Sequence, residues 1–329
     1  MKRRLGQDGP LVGAIGLGCW SFGNAYGPTS EAESHRTLSK ALDLGLDFLD
    51  TANVYGMGVS EDHIGSFLRN RSGAFKIATK AGITRTPDKS ERIFVNTADH
   101  LSCELEESLK RLGVDCVDLF YIHRRDPNLE IEAVMETLVR FKEEGKIRGI
   151  GFSEISPGSL RRAHAVHPVM AVQSEYSLWV RMPDLGMIQA CRDLGVSFVA
   201  FSPLGRGVFT ETPPPPGSIP DGDFRRHNPR FVEPNYNANL SAIKRFQRYA
   251  AERGVWTSAL ALAWVLHQGN HVIPIPGTRK ADHLEQNAAA LSLQLTPDDL
   301  KEIDAILPVG FAHGDRYSEA QMVGVERYC

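Results

Sequence analysis

The chain lacks the spacings that mark a disulfide framework or a zinc site. Its five cysteines (Cys19, Cys103, Cys116, Cys191, Cys329) are odd in number, widely separated and without a CxxC pair. It lacks a surplus of either charge: 37 Lys+Arg stand against 40 Asp+Glu, net −3, with the basic residues scattered. That balance excludes a general nucleic-acid binder, which needs a basic excess or stripe. Its longest strongly apolar run, Ser258 to Leu266, is far too short to cross a bilayer. Met1-Lys2-Arg3-Arg4 resembles the start of a secretory signal, but Gly6-Gln7-Asp8-Gly9-Pro10 stands where the apolar stretch belongs. A reduced, cytoplasmic setting without membrane or nucleic-acid partner is the expectation. Rossmann, P-loop and HExxH patterns are absent as well. Gly16-Leu17-Gly18 reaches Ser21, and Gly56-Met57-Gly58 reaches Glu61, so both fail GxGxxG. No metal ligand cluster is visible.

What is present is alternation. Eight short β-type runs are expected at Ala14–Leu17, Asp47–Asp50, Lys76–Thr79, Asp118–Ile122, Ile147–Phe152, Met170–Gln173, Ser197–Phe201 and Val272–Ile275. Amphipathic stretches lie between them: Ser30–Leu44, Ala98–Leu112, Ile131–Glu144, Pro157–Val166 and Leu185–Asp193, several ending at a glycine (Gly45, Gly113, Gly145, Gly195). This order predicts an α/β fold, a (β/α)8 TIM barrel forming a single domain over residues 1–329. Arg3 to Val12 reads as a hairpin turning at Asp8-Gly9 and plugging the barrel floor. Ser202 to Asn239, with four consecutive prolines at 213–216, reads as a long loop after strand 7, either a lid or a disordered excursion.

Barrel chemistry sits at the C-terminal strand ends. There the sequence places Asp50 and Tyr55 after the second strand, Lys80 after the third and His123 after the fourth. Any one of them has a structural explanation; together they put an acid, a phenol, an ammonium and an imidazole on one rim. An ammonium favours a phenolate, so Lys80 is expected to lower the pKa of Tyr55. Asp50 would hold Lys80 charged, and His123 would orient a carbonyl oxygen. The set suits hydride addition to a carbonyl.

With those residues in place, the sequence resembles an aldo-keto reductase over essentially its whole length. The resemblance is carried by Asp50-Thr51-Ala52-Asn53-Val54-Tyr55-Gly56, Thr79-Lys80, Ser108-Leu109-Lys110-Arg111-Leu112-Gly113, Tyr121-Ile122-His123, Gln173-Ser174-Glu175-Tyr176-Ser177, Ser202-Pro203-Leu204-Gly205-Arg206-Gly207 and Ile275-Pro276-Gly277-Thr278. The last two motifs, with Gly314-Asp315-Arg316-Tyr317, resemble the microbial and plant branch related to potassium-channel β-subunits.

The resemblance implies a catalytic tetrad of Asp50, Tyr55, Lys80 and His123, with Tyr55 as general acid, and NADPH/NADP+ across the barrel mouth. It implies Ser153 and Gln173 at the carboxamide, Phe201 against the nicotinamide, and Ser202, Leu204, Gly205 and Arg206 around the pyrophosphate. Gly277, Thr278, Arg279, His283, Gln286 and Asn287 would hold the adenosine end. Phe201, Glu154 and His283 replace residues common in relatives: tyrosine, asparagine and arginine. Trp20, Tyr26, Arg124 and Trp179 are expected around a small-molecule carbonyl substrate. Two other readings remain open. One is an NADPH-binding sensor or auxiliary subunit with little turnover; the other makes Lys80 the Schiff-base nucleophile of an aldolase. The sequence leaves the oligomeric state unspecified.

Overall fold

The computed structural model describes residues 1–86, 88 and 91–328. The chain opens with a hairpin of β1 (Lys2–Arg4) and β2 (Leu11–Gly13), paired Arg4↔Leu11. Its connection is the six residues 5–10 rather than a tight turn at Asp8-Gly9, and the Leu5 N–H closes it by donating to Pro10 O at 3.0 Å. The barrel strands follow as β3 (Leu17–Gly18), β4 (Phe48–Asp50) and β5 (Lys76–Ala81). An antiparallel ribbon absent from the sequence reading, β6 (Ile83–Arg85) with β7 (Arg92–Phe94), comes next. Then come β8 (Leu119–Ile122), β9 (Ile150–Ser153), β10 (Ala171–Glu175), β11 (Ser197–Phe201) and β12 (Val272–Ile275).

Among the described residues these eight strands form one parallel sheet in the order β12-β11-β10-β9-β8-β5-β4-β3. Its edges meet through Gly16 N–H to Pro274 O at 3.0 Å, Gly18 N–H to Pro276 O at 3.2 Å and a Gly18–Gly277 bridge, so the sheet closes as the expected barrel. A Cβ on Gly18 would lie 2.8 Å from Ile275 O, and so the close approach of first and last strands needs glycine there. The hairpin is the plug: Leu5 and Val12 are buried with Phe48, Leu119, Tyr121 and Val199 inside the barrel, and Arg3 donates to the carbonyls of Leu266, Gly269 and Val272 at its floor.

Helices α1 (Glu31–Asp43), α2 (Val59–Leu68), α3 (Ala98–Leu112), α4 (Ile131–Glu143), α5 (Pro157–Val166), α6 (Met187–Leu194), α7 (Asn235–Glu252), α8 (Thr257–His267), α9 (Ala281–Ala288), α10 (Pro297–Ile306) and α11 (Glu319–Met322) lie outside the sheet. Local chemistry sets their starts: Ser30 and Glu33 form a capping box on α1, and Pro157 opens α5 behind the Ser156 cap. Gly45, Gly113, Gly145 and Gly195 all have positive φ after helical runs, as expected. Helix α2 was not read from the sequence because its inner face is partly polar. Buried Glu61 accepts from Arg111 and Thr79, and a Cβ on Gly65 would lie 2.0 Å from Arg111 O. The Arg111 motif thus fastens α2 and α3 to β5, the strand that carries Lys80.

Most strand bounds shift by one to three residues. The first strand shifts from Ala14–Leu17 to Leu17–Gly18 because Ala14 N–H continues the hairpin by bonding Met1 O. The long loop after β11 is ordered rather than a disordered excursion, with single turns at Gly205–Gly207, Phe224–His227 and Pro229–Phe231, and it ends where α7 begins at Asn235. Cys19, Cys103, Cys116 and Cys191 are free thiols; Cys329 lies outside the described residues. No helix among the described residues is long and apolar enough to cross a membrane.

Candidate active site

The four residues expected to act together converge at the C-terminal mouth. Asp50 ends β4, Lys80 lies on β5, His123 follows β8, and Tyr55 stands in the turn leading to α2. Lys80 is fully buried and spends its ammonium protons on Asp50 Oδ1 at 2.5 Å, Thr51 O at 2.7 Å and Tyr55 Oη at 3.3 Å. The second Asp50 oxygen accepts from Gln173 Nε2 at 2.6 Å. Tyr55 meets His123 edge to face, centroids 5.7 Å apart, while the Lys80 ammonium lies 4.9 Å from the Tyr55 ring centre.

Burial governs the protonation states. It opposes the charge on Lys80, yet the Asp50 carboxylate and Tyr55 outweigh it and hold the Lys80 pKa above its ordinary value. For Tyr55 the expectation of a lowered pKa is corrected: burial raises it, and the opposing field of Lys80 offsets only part of that shift. The phenol therefore stays protonated at neutral pH, the form a general acid needs. His123 is pushed well below 6.5 by burial and then by Lys80, Arg124 and Arg92, so its imidazole is neutral. Its Nδ1 is buried without a partner among the described residues.

A cavity of about 1670 Å³ opens over these groups. That exceeds the usual volume of a site for one drug-sized ligand. Asp50, Tyr55 and His123 line one end, and Thr278, Arg279, His283, Gln286 and Asn287 line the other, with Ser153, Gln173, Phe201, Ser202, Leu204 and Gly277 also on its walls. The donor set fits the expected dinucleotide. Ser153 Oγ accepts from Arg124 at 3.0 Å and keeps its own proton to donate, while Gln173, its NH₂ bound to Asp50, keeps Oε1 as an acceptor. Arg279 and Lys280 add two cations to the cavity wall. Asp282 is exposed and is not among the lining residues.

Several expected residues have other positions. Gly205 is not on the cavity wall; its φ of +56° makes the turn, and its N–H bonds Ser202 O. Arg206 borders the cavity, but its guanidinium is buried against Glu175 at 2.9 Å and sandwiched by Phe224 and Tyr317, so its charge is paired within the protein. Glu154, which stands where relatives commonly have asparagine, grips Arg316 with both oxygens and takes Glu175 N–H at 2.9 Å. Arg316 holds its pKa below the ordinary carboxylate value despite the opposing effect of burial. Trp179 leaves the substrate set altogether: it packs into the core against Phe209 and Phe231 under Arg230. Trp20 and Tyr26 do border the site, their rings 5.1 Å apart, with Trp20 6.2 Å from Tyr55.

Other lining residues were not foreseen. Phe224 and Arg225 of the ordered loop cross the mouth to Trp20 and Tyr26, at 5.5 Å and 4.7 Å, and Tyr317 and Gln321 come from the C-terminal segment. Ile83, Thr84 and Arg92 come from the ribbon. Its signal was present in the sequence: Ile83-Thr84-Arg85 and Arg92-Ile93-Phe94 flank the turn-type run Thr86-Pro87-Asp88-Lys89-Ser90.

Sequence and structure comparisons agree with this geometry. The profile of the aldo/keto reductase family matches residues 14–308. The Schizosaccharomyces pombe protein "Aldo-keto reductase yakc [NADP(+)]" is 40% identical over 320 residues, covering 96% of this chain and 94% of that protein. The glycerol dehydrogenase AKR11B4 from Gluconobacter oxydans superposes with a TM-score of 0.84 at 29% identity, over 93% of this chain and 94% of that one. The holo form of aldo-keto reductase AKR11C1 from Bacillus halodurans shares the fold, with a TM-score of 0.76 at 24% identity over 97% and 99% of the two chains. Barrel, site and sequence likeness converge, and this chain is an oxidoreductase of the aldo/keto reductase family.

Proposed function

We propose that the protein, acting as one unit over residues 1–329, reduces an aldehyde or ketone to the alcohol, with NADPH as hydride donor and Tyr55 as general acid. The observation that carries this reading is the Tyr55 hydroxyl, 3.3 Å from Lys80 Nζ and beside the neutral His123 ring at one end of the cavity. When bound, NADPH supplies the hydride that forms the new C–H bond. His123 donates a hydrogen bond to the substrate carbonyl oxygen and orients it. Tyr55 Oη delivers its proton to that oxygen as the C=O bond becomes C–O–H, and Lys80, held by Asp50, stabilises the phenolate left behind. Ser153, Gln173 and Phe201 hold the nicotinamide end; Thr278, Arg279, His283, Gln286 and Asn287 hold the adenosine end. The NADP(+) in the name of the Schizosaccharomyces pombe relative supports the choice of cofactor.

An aldolase role for Lys80 fits poorly, because a nucleophilic amine must lose its proton and Asp50 favours the charged form. A sensor with little turnover differs from a reductase by a direct measurement. Tyr55→Phe should lower kcat for a simple aldehyde by at least about 100-fold, since a positioned proton donor contributes on that order, while NADPH affinity by fluorescence titration stays within about twofold. Wild-type turnover in that variant refutes Tyr55 as the acid; a wild-type protein that binds NADPH and reduces no carbonyl compound is a sensor.

A further inference from the structure

The reductase reading leaves the substrate class open, and the charges at the catalytic end of the cavity address it. Arg279 aside, which donates to Pro28 O at 3.1 Å and has no ion pair among the described residues, the arginines on the cavity wall fall into two kinds. Arg111, Arg206 and Arg225 are each paired with a carboxylate, Glu61, Glu175 and Asp223 respectively, and Arg85 has interactions of its own. Arg92 and Arg124 form no ion pair among the described residues. Arg124, next to His123, is fixed by donating NH1 to His123 O at 2.6 Å and to Ser153 Oγ at 3.0 Å. Arg92, on β7, stacks over Phe94 at 5.4 Å and reaches the carbonyls of Ala320 and Val323 at 3.4 Å. Neutral acceptors leave both charges uncompensated, and two contacts do not exhaust a guanidinium's donors.

The two cations also act on each other and on the catalytic residue. Burial and then Arg124 lower the pKa of Arg92, and both arginines add to the field that keeps His123 neutral. The nearby carboxylates are engaged elsewhere: Glu104 accepts from Asn53 Nδ2 at 2.5 Å, and Glu107 faces Lys110 at 4.0 Å. Arg92 is exposed and Arg124 half-buried, so water screens part of their mutual repulsion, and an anionic ligand that displaces that water relieves the rest. Planar guanidiniums match carboxylate and phosphate oxygens through paired N–H donors.

We propose that the carbonyl substrate carries an anionic group, a carboxylate or a phosphate, bound by Arg92 and Arg124 while Tyr55 and His123 act on the carbonyl. The proposal rests on the reductase reading and identifies its substrate class. The test measures NADPH oxidation with matched pairs, succinic semialdehyde against butanal and glyceraldehyde 3-phosphate against glyceraldehyde, so that carboxylate and phosphate are compared separately. For at least one pair, kcat/KM for the anionic member should exceed that of its neutral partner by about tenfold or more, mainly through KM. Arg92→Met should reduce that ratio about tenfold, Arg92→Lys should restore part of it, and added salt should shrink it. Equal reduction of charged and neutral members by the wild-type protein, or an unchanged ratio in Arg92→Met, overturns the anion site and leaves the reductase standing. Failure to reduce any of the four despite NADPH binding overturns the reductase reading itself.

Discussion

Replacing Lys80 by methionine separates two roles that one side chain combines. The fully buried ammonium answers Asp50 Oδ1, Thr51 O and Tyr55 Oη. Methionine fills similar volume but leaves the Asp50 carboxylate, 2% exposed, with Gln173 Nε2 as its remaining side-chain partner. Breaking a buried pair by removing one partner costs about 3–5 kcal/mol, which for a chain of this size lowers Tm by about 4–7 °C. Turnover should fall with it, because the phenolate formed at Tyr55 loses its counter-charge. The companion Lys80→Met/Asp50→Asn removes the orphaned charge, and the asparagine Oδ1 can still accept from Gln173. Differential scanning calorimetry should show most of the lost Tm restored in the double variant, while NADPH oxidation with a simple aldehyde stays at background. A single variant as stable as wild type would refute the charge-pairing argument. A double variant that turns over would refute the claim that Lys80 is needed for proton transfer.

Two further outcomes follow from groups elsewhere in the cavity. Arg279→Ala should weaken NADPH by at least about tenfold and NADH much less, because a charge-assisted hydrogen bond to a phosphate contributes roughly 1.5–3 kcal/mol; equal weakening of both in fluorescence titration rejects Arg279 as the 2′-phosphate ligand. The neutral His123 carries a pH signature. Its folded pKa lies well below 6.5, so between that value and 6.5 the unfolded chain binds more protons and stability falls as pH is lowered from about 6.5. His123→Gln should flatten part of that decline in urea midpoints, and an unaltered slope would mean that His123 is not the neutral buried group described.

The strands and the tetrad were legible because both are written locally. A parallel barrel strand is buried on both faces and reads as a short apolar run, and the residues at or just past its C-terminal end face the mouth whatever the rest of the chain does. Asp50, Lys80 and His123 follow from that rule, and Tyr55 from its place a few residues past β4. Helix α2 escaped for the opposite reason: its inner face carries Ser60 and Glu61, whose partners Cys19, Thr51, Thr79 and Arg111 come from other segments, so the hydrophobic period shows only in Ile64, Phe67 and Leu68. The pKa of Tyr55 was misjudged because a sequence names the charge nearby without disclosing how deeply the hydroxyl is buried.

The strand-end rule fails on one side of the mouth, and the cause is the C-terminal segment. Arg316 reaches back to Glu154 after β9 and lies 3.7 Å from Glu175 at the end of β10, while Tyr317 stacks on Arg206 from the other side. Two carboxylates and two guanidiniums thus neutralise one another in a buried cluster, with Glu154 held at a φ of +57°. A carboxylate at position 154 is costly to bury unless a cation meets it, and the chain supplies that cation from a point 162 residues away. Residues that would otherwise face a ligand are turned into the anchorage of a roof, on which Phe224, Tyr317 and Gln321 approach the cavity. The ribbon does the same on the opposite side, where Arg92 touches the Ala320 and Val323 carbonyls and joins its wall to the tail. The four residues belong to the barrel, whereas the space above them is shaped by segments that meet only after folding, and that is why their convergence could be read from the sequence before the shape of that space.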